Sequence, residues 1–574
     1  MKADKRSLSE LFQGETRLSA PLFQRPYVWN EEDNWEPLWN AIQELALARL
    51  SGENPKPYFM GALVLDKLSG QTGSVVSREI IDGQQRLTTL QIFLSVLSER
   101  LSGDPQMSRV LDSMTRNNLG SGDEVFKVWP TNIDREQFRA VMTGVKVKGL
   151  MRDAREYFSS RLNEFAENES EVTSPDEAVF NAVFRDLAFV VIDLESDDDG
   201  QLIFETLNSL GTPLLPSDLV KNLLFRAAQA EDRNSDELYL RFWQPFEEDA
   251  EYWRAIVYVG KRERTRLDVF LQHYLMYRMG KDSLVAHNFR DYREMFGRGE
   301  LGDVENALAD FKAFSDSYRE FEEEISDGVS GRLRHLLLAL NLNTPFPLLM
   351  GIYHNVHDLS EREEMIKDIE SYLVRRSMTN LSTQGLNHSV ASLIQQLKRI
   401  GWTSENLRRL MLEFEGNTRV WPSDEFLIWR IQNRATYFSV RRQGIAYVLS
   451  RIEEDLRSKY AETTLSFRQP IHIEHIMPQK WKRHWGGRTM TSEEEGRRQE
   501  SIHLLGNLTI LTDKLNQSVS NAGWEKKREA LEAHSVLRLN KELASFDEWN
   551  EESIAARTAD LAHRICRLWP RPGG

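Results

Sequence analysis

Cysteine is almost absent from this chain: Cys566 is the single thiol in 574 residues. One thiol excludes an intramolecular disulfide framework and a cysteine-rich zinc site. It fits a reducing compartment, and a cytoplasmic location is expected. Long apolar runs are missing too. No window approaches the roughly 18 uninterrupted apolar residues of a membrane helix. The opening MKADKRSLSELFQGETRLSA has no run of signal-peptide length. A soluble protein with no membrane partner is expected. A Walker A loop, GxxxxGK[ST], is also absent. Positive charge is the scarcer sign, with 73 basic against 88 acidic residues and a net charge of −15. That excludes a protein that binds nucleic acid with its whole surface, but not a local basic groove on an acidic body.

What is present supports a large folded chain. Apolar residues make up 40% and charged residues 28%, enough for sizeable cores. At about 100–200 residues per domain, the length implies three to five domain-sized units. Patterning divides the chain into 1–230, 231–455 and 456–574. The first part reads as mixed α/β. Strand-like runs occur at Tyr58–Asp66, Glu79–Ile81 and Phe189–Leu194, and a helical stripe begins at Leu87. The second part is poor in glycine and proline and reads as a helical bundle, with Arg332–Leu342 and Val390–Ile400 as examples. Its basic cluster at Lys261–Arg266 (KRERTR) has the charge to meet DNA backbone, but a solvated helix face is the stronger expectation. The third part opens with short strands and ends in helices. The expected class is multidomain α+β, predominantly helical.

Histidine is unevenly spread: His472, His475, His484 and His503, four of the twelve, fall within 32 residues. Pro470–Gln479 reads PIHIEHIMPQ, and its alternation from Ile471 to Glu474 predicts a strand. Asn507 follows in GNLTILTDKLN, and Asn516 comes nine residues later. A strand carrying Glu-His, then an Asn-rich turn into a helix, is the layout of a ββα-metal nuclease. Phosphodiester hydrolysis needs a base to activate water and a divalent cation to offset charge on the phosphate. A neutral imidazole suits the base. A carboxylate and an amide oxygen suit Mg²⁺ or Mn²⁺. Adjacent strand residues face opposite ways, so Glu474 and His475 can share a site only where the strand ends. Nearby, KWKRHWGGR at 480–488 interleaves basic and indole side chains, a composition for phosphate and base contact or for a solvated loop anchored by its tryptophans. From Phe467 to Ser535 there are 11 basic and 9 acidic residues, a local +2.

EHIMPQ, GNLTIL and the later Asn resemble the HNH nucleases. More closely, they resemble the HNH domain at the C-terminus of GmrSD-type modification-dependent, type IV restriction enzymes, over about residues 465–535. The resemblance implies His475 as general base and Asn507 as the catalytic loop's brace. Glu474 replaces the usual Asp as metal ligand, with Asn516 as the second ligand. Lys480, Lys482, Arg483, Arg488 and His503 are expected to contact DNA.

The first 225 residues carry three motifs: Phe23–Trp29 (FQRPYVW), Ile80–Arg86 (IIDGQQR) and Ile203–Asn222 (IFETLNSLGTPLLPSDLVKN). In the second, a strand enters a glycine turn and a helix begins. A helix N-terminus is a natural phosphate seat, although a DGQ turn is also an ordinary helix cap. Together the motifs resemble the ParB/sulfiredoxin-like N-terminal domain of the same family. That implies a nucleoside triphosphate site lined by Asp82, Gly83, Gln84, Gln85 and Arg86, with Gln24 and Arg25 beside it. Asn208, Asp218 and Lys221 would form a second wall; an ordinary helix start after Pro216 accounts equally well for the last two. Trp29, Trp35 and Trp39 are expected in the core.

The expected activity is an NTP-regulated, modification-dependent endonuclease that cuts or nicks modified double-stranded phage DNA in antiviral defence. A simultaneous double-strand break needs two nuclease sites, so a homodimer is a partner arrangement the chemistry allows. Two alternatives stay open: a nucleotide-dependent DNA-binding clamp with an inactive HNH site, and an NTPase-linked RNA nuclease toxin.

Overall fold

The structure is a computed structural model. It describes residues 2–21, 24–67, 75–169, 174–194, 215–260, 262–282, 287–325, 328–458, 471–483, 485, 490–512 and 522–573. The chain is mostly helical and divides into two compact units, Met1–Gln244 and Pro245–Gly574.

The first unit is built on a six-stranded mixed sheet. Its strands are β1 (Lys2–Ser7), β2 (Thr16–Ser19), β3 (Tyr58–Lys67), β4 (Val76–Asp82), β5 (Val128–Trp129) and β6 (Leu187–Asp193), in the order β1-β6-β3-β4-β2-β5. β6 pairs parallel with β3, β3 antiparallel with β4, and β4 parallel with β2. The central strands are apolar on both sides because both faces are covered. Leu63, Leu65, Ile80, Phe189 and Val191 join a core made with the helices Glu36–Leu50, Gln84–Arg100 and Leu150–Asn168. Val64, Ile81, Ile192 and Leu194 face the other way, onto Leu219 of the helix Pro216–Ala230. Trp35 and Trp39 are buried in the first core, with Trp29 packed against it.

The second unit is mainly helical. Its helices Val329–Leu340, Leu359–Met378 and Arg442–Ser458 pack on one another. Of the basic cluster, Lys261 lies outside the described residues, Arg266 opens the helix Arg266–Met279, and Arg262 and Arg264 lie on a strand. Arg262–Thr265 is strand β8, paired antiparallel with β7 (Ile256–Val259) across Gly260. The sequence IVYV-GK-RERT is a hairpin pattern of β-branched residues around a glycine turn. Gly260 sits at φ 65°. Near the end of the chain, β9 (Ile471–His475) and β10 (Leu508–Thr512) form an antiparallel ribbon. The helices Trp524–His534 and Glu551–Leu568 follow. Arg442–Ser458 packs on both strands of the ribbon and on Glu551–Leu568.

Candidate functional site

His475 closes β9, opposite Leu508 of β10, and the ladder runs one bond further, from Ile476 N to Asn507 O at 2.9 Å. The turn that follows is held by Asn507, which is 0% exposed. Its Oδ1 accepts from Met477 N at 2.8 Å and from Trp549 Nε1 at 2.9 Å. Its Nδ2 donates to Met477 O at 2.9 Å and Ile502 O at 2.8 Å. Both donors and both lone pairs are in use, so Asn507 acts on the site by fixing the backbone beyond His475. Gly506 is needed for a different reason. A Cβ there would fall on Ile554 O and on Thr558 of the helix Glu551–Leu568. That helix donates back, from Arg557 to Gly506 O at 2.6 Å and to Leu508 O at 2.8 Å.

His475 is 5% exposed. Its Nδ1 lies 3.5 Å from Gln479 Nε2. Its Nε2 is buried with no hydrogen-bond partner among the described residues. The Tyr437 ring meets the imidazole edge-on at 4.4 Å, and the His503 ring stands at 5.5 Å. Burial pushes the His475 imidazole down to about 4, helped by His503, Lys527 and Arg442 nearby. The ring is therefore neutral at neutral pH, with a lone pair available.

One residue earlier on the strand, the Glu474 carboxylate accepts from Lys527 Nζ at 3.1 Å, and the same ammonium donates to His475 O at 2.9 Å. Lys527 is 1% exposed. Sequence reasoning missed it. The signal was there: Trp524, Lys527 and Leu531 lie at i, i+3 and i+7, so a lysine stands in the inward stripe of an amphipathic helix. The Glu474 carboxylate is a hard oxygen ligand that fits a hydrated divalent cation, and the His475 imidazole has a lone pair for a proton. Among the described residues, no three His, Cys, Asp or Glu side chains converge for a metal.

Of the expected DNA contacts, Lys480 is exposed. Lys482 is also exposed and pairs with Glu495 at 2.8 Å. His503 is buried, with its Nε2 3.5 Å from Gln499 and its Nδ1 without a partner among the described residues. Asn208, Arg488, Asn516 and the Arg483 side chain lie outside the described residues. The two indoles of this stretch are structural. Trp481 belongs to the local core with Trp485 packed against it, and Trp485 Nε1 donates to Ala522 O at 3.0 Å.

In the first unit the turn after β4 gathers Gln24, Arg25 and residues 82–86. Gly83 caps the helix Gln84–Arg100 at φ 101°, and a Cβ there would fall on Leu63. Arg86 donates to Asp82 at 3.1 Å and to Met60 O at 2.9 Å. The glutamines hold the neighbouring chain in place. Gln24 donates to Ile80 O at 2.7 Å and Ile81 O at 3.0 Å. Gln85 accepts from Val28 N at 2.9 Å and donates to Pro26 O at 3.1 Å. Gln84 reaches Arg25 O at 3.4 Å. Asp218 and Lys221 are buried in the helix whose Leu219 covers Ile81, one residue before Asp82. Lys221 Nζ lies 5.2 Å over the Tyr239 ring.

No curated protein matches the chain as a relative. Residues 8–225 match the family described as GmrSD restriction endonuclease, N-terminal domain. Residues 421–564 match GmrSD restriction endonucleases, C-terminal domain. These two stretches contain the turn at Gly83 and the ribbon ending at His475, and with both domains present in order the chain belongs to the GmrSD restriction endonucleases, nucleases whose substrate is DNA.

Proposed function

We propose that this protein is a type IV, modification-dependent endonuclease with an HNH site of ββα-metal form, regulated by a nucleoside triphosphate bound in a ParB/sulfiredoxin-like first domain. The observation that carries the nuclease reading is the neutral, buried His475, whose Nε2 has no partner among the described residues, following Glu474 at the end of the strand. The neutral His475 imidazole takes the proton from the attacking water. Asn507 fixes the turn that aims the ring. Glu474, with Asn516 from the family pattern, would hold Mg²⁺ or Mn²⁺, which supplies charge neutralisation at the phosphate. Lys527 holds the end of the strand so that Glu474 and His475 stay together.

In this reading residues 1–230 take the nucleotide at Gln24, Arg25 and 82–86, residues 231–455 relay its state, and residues 456–574 cut. The amides opening the helix Gln84–Arg100 and the Arg86 guanidinium support a phosphate seat. The test is cleavage of matched unmodified, hydroxymethylated, glucosylated and phosphorothioated DNA, with and without each NTP and with Mg²⁺ or Mn²⁺. His475→Ala is expected to abolish cutting. Equal cutting by parent and variant, or no cutting of any substrate, refutes the proposal.

One observation favours the clamp with an inactive nuclease site: a lysine already neutralises Glu474. Calorimetric titration of Mn²⁺ into parent and Glu474→Gln protein separates the readings. Loss of a Mn²⁺ site in the variant supports the nuclease.

A further inference from the structure

The segment just before the helix Arg442–Ser458 builds a wall of the candidate site that no motif announced. It is one helical turn, Thr436–Ser439, anchored by buried Thr436 and by buried Val440 just after it. Tyr437 N donates to His503 O at 3.1 Å, and the Tyr437 ring lies against His475. Phe438 packs 4.3 Å from the His503 ring, yet it is 69% exposed. The Arg442 guanidinium sits 5.1 Å over Tyr437. Arg442 is exposed and forms no ion pair with a carboxylate among the described residues, whereas Arg498, Arg408 and Arg375 in the same unit are each matched to one.

An exposed phenyl ring and a guanidinium that stacks on Tyr437 but meets no carboxylate among the described residues, one ring away from the candidate base, are a poor surface for water and a good one for a nucleic-acid strand. The ring offers a face for a base, and the cation offers charge for a phosphate. Exposed aromatics also serve as wedges that open a base step. We infer that Phe438 stacks on a base beside the scissile phosphate and that Arg442 pairs with an adjacent phosphate of the same strand. This wall positions DNA on His475, and the inference rests on the endonuclease reading above.

The test uses the full chain and a fluorescein-labelled mixed-sequence duplex at low salt without divalent metal, so that binding is read apart from cutting. Phe438→Ala is expected to raise Kd about tenfold, within the range of a lost base–aromatic contact. Phe438→Trp restores affinity, and its indole fluorescence changes on adding DNA. Arg442→Gln lowers the slope of log K against log salt by about 0.9, the signature of one lost phosphate contact. Parent-like affinity and salt slope in both variants overturn the inference. So does a loss in Phe438→Ala that Phe438→Trp fails to restore and that comes with a lower melting temperature. A parent that shows these binding effects but cuts nothing refutes the endonuclease reading and leaves the wall standing. His475→Ala that abolishes cutting while Phe438→Ala binds normally does the reverse.

Discussion

Lys527 bridges Glu474 and the backbone of His475: one buried ammonium donates to the carboxylate of the first and the carbonyl of the second. Two adjacent residues of a strand point apart, and this cation ties the carboxylate of one to the main chain of the other. Replacing it with Lys527→Met leaves two acceptors without a donor. Stability is expected to fall by roughly 1–3 kcal/mol, read by urea unfolding. Glu474→Gln added to Lys527→Met should cost less than the sum of the single changes, with a coupling of about 0.5–3 kcal/mol. Strict additivity would show that the pair does not interact.

The turn beyond His475 depends on two neighbours in different ways. Asn507→Asp keeps the acceptor oxygen but removes the two donors to Met477 O and Ile502 O. A cost of about 2–4 kcal/mol is expected, near 1–2 for each carbonyl left unmet. Gly506→Ala pushes a methyl group into the Ile554 carbonyl and Thr558, an overpacking cost of roughly 1–3 kcal/mol. Thermal denaturation checks both. Parent-like melting of Gly506→Ala would mean that the helix Glu551–Leu568 does not press on the turn.

Gly83 combines left-handed backbone with a close neighbour. Gly83→Ala is expected to cost about 1–3 kcal/mol from backbone strain alone, plus the clash with Leu63. Leu63→Ala relieves the clash and leaves the strain, so Gly83→Ala should cost less in a Leu63→Ala background than in the parent. A penalty of the same size in both would place the whole effect in the backbone.

Acid sensitivity should be traceable to His273. It is buried, stacked on Phe346 at 5.6 Å, and its Nδ1 has no partner among the described residues. Burial pushes its imidazole down to about 3. The unfolded chain takes up this proton near pH 6.5, and the folded chain does not until near 3. The stability that the neutral ring confers is thus whole above pH 6.5 and is lost as pH falls toward 3. Against His273→Phe, the parent should lose roughly 1.4 kcal/mol for each pH unit through that window. Urea unfolding at several pH values measures it, and a difference independent of pH would contradict it.

The readable features were those in which one stretch of chain carries both the signal and its partner. The strand ending in Glu474-His475 shows in alternation that stops at His475. The turn at Gly83 shows in a β-branched run, a glycine and a helical stripe. The apolar character of β3 and β6 already implies cover on both faces. Other features depend on partners far along the chain. Lys527 reaches β9 from more than fifty residues away, and nothing near Glu474 indicates which lysine will meet it. Tyr437 and Phe438 precede the histidines they touch and sit outside any motif. The indoles of 480–488 could equally serve DNA or core, and packing against residues such as Ile502 and Trp549 decided it. Within KRERTR the helix begins only at Arg266, because the IVYV run and the glycine in front set a hairpin for Arg262–Thr265.

The helix Glu551–Leu568 is gripped at both ends. Its first half is pressed against Gly506 and bonded to that turn through Arg557 and Thr558. Just past its last turn, Trp569 O accepts from the fully buried Arg375 of Leu359–Met378 at 2.6 Å, and Trp569 Nε1 donates to Glu370 of the same helix at 2.8 Å. A rod fixed this way transmits displacement. A shift of Leu359–Met378 reaches the backbone beyond His475 without passing through the ribbon's own strands. The turn beyond His475 and the helical bundle therefore share one mechanical frame, and a C-terminal fragment cut free of the bundle would need a new anchor for that far end.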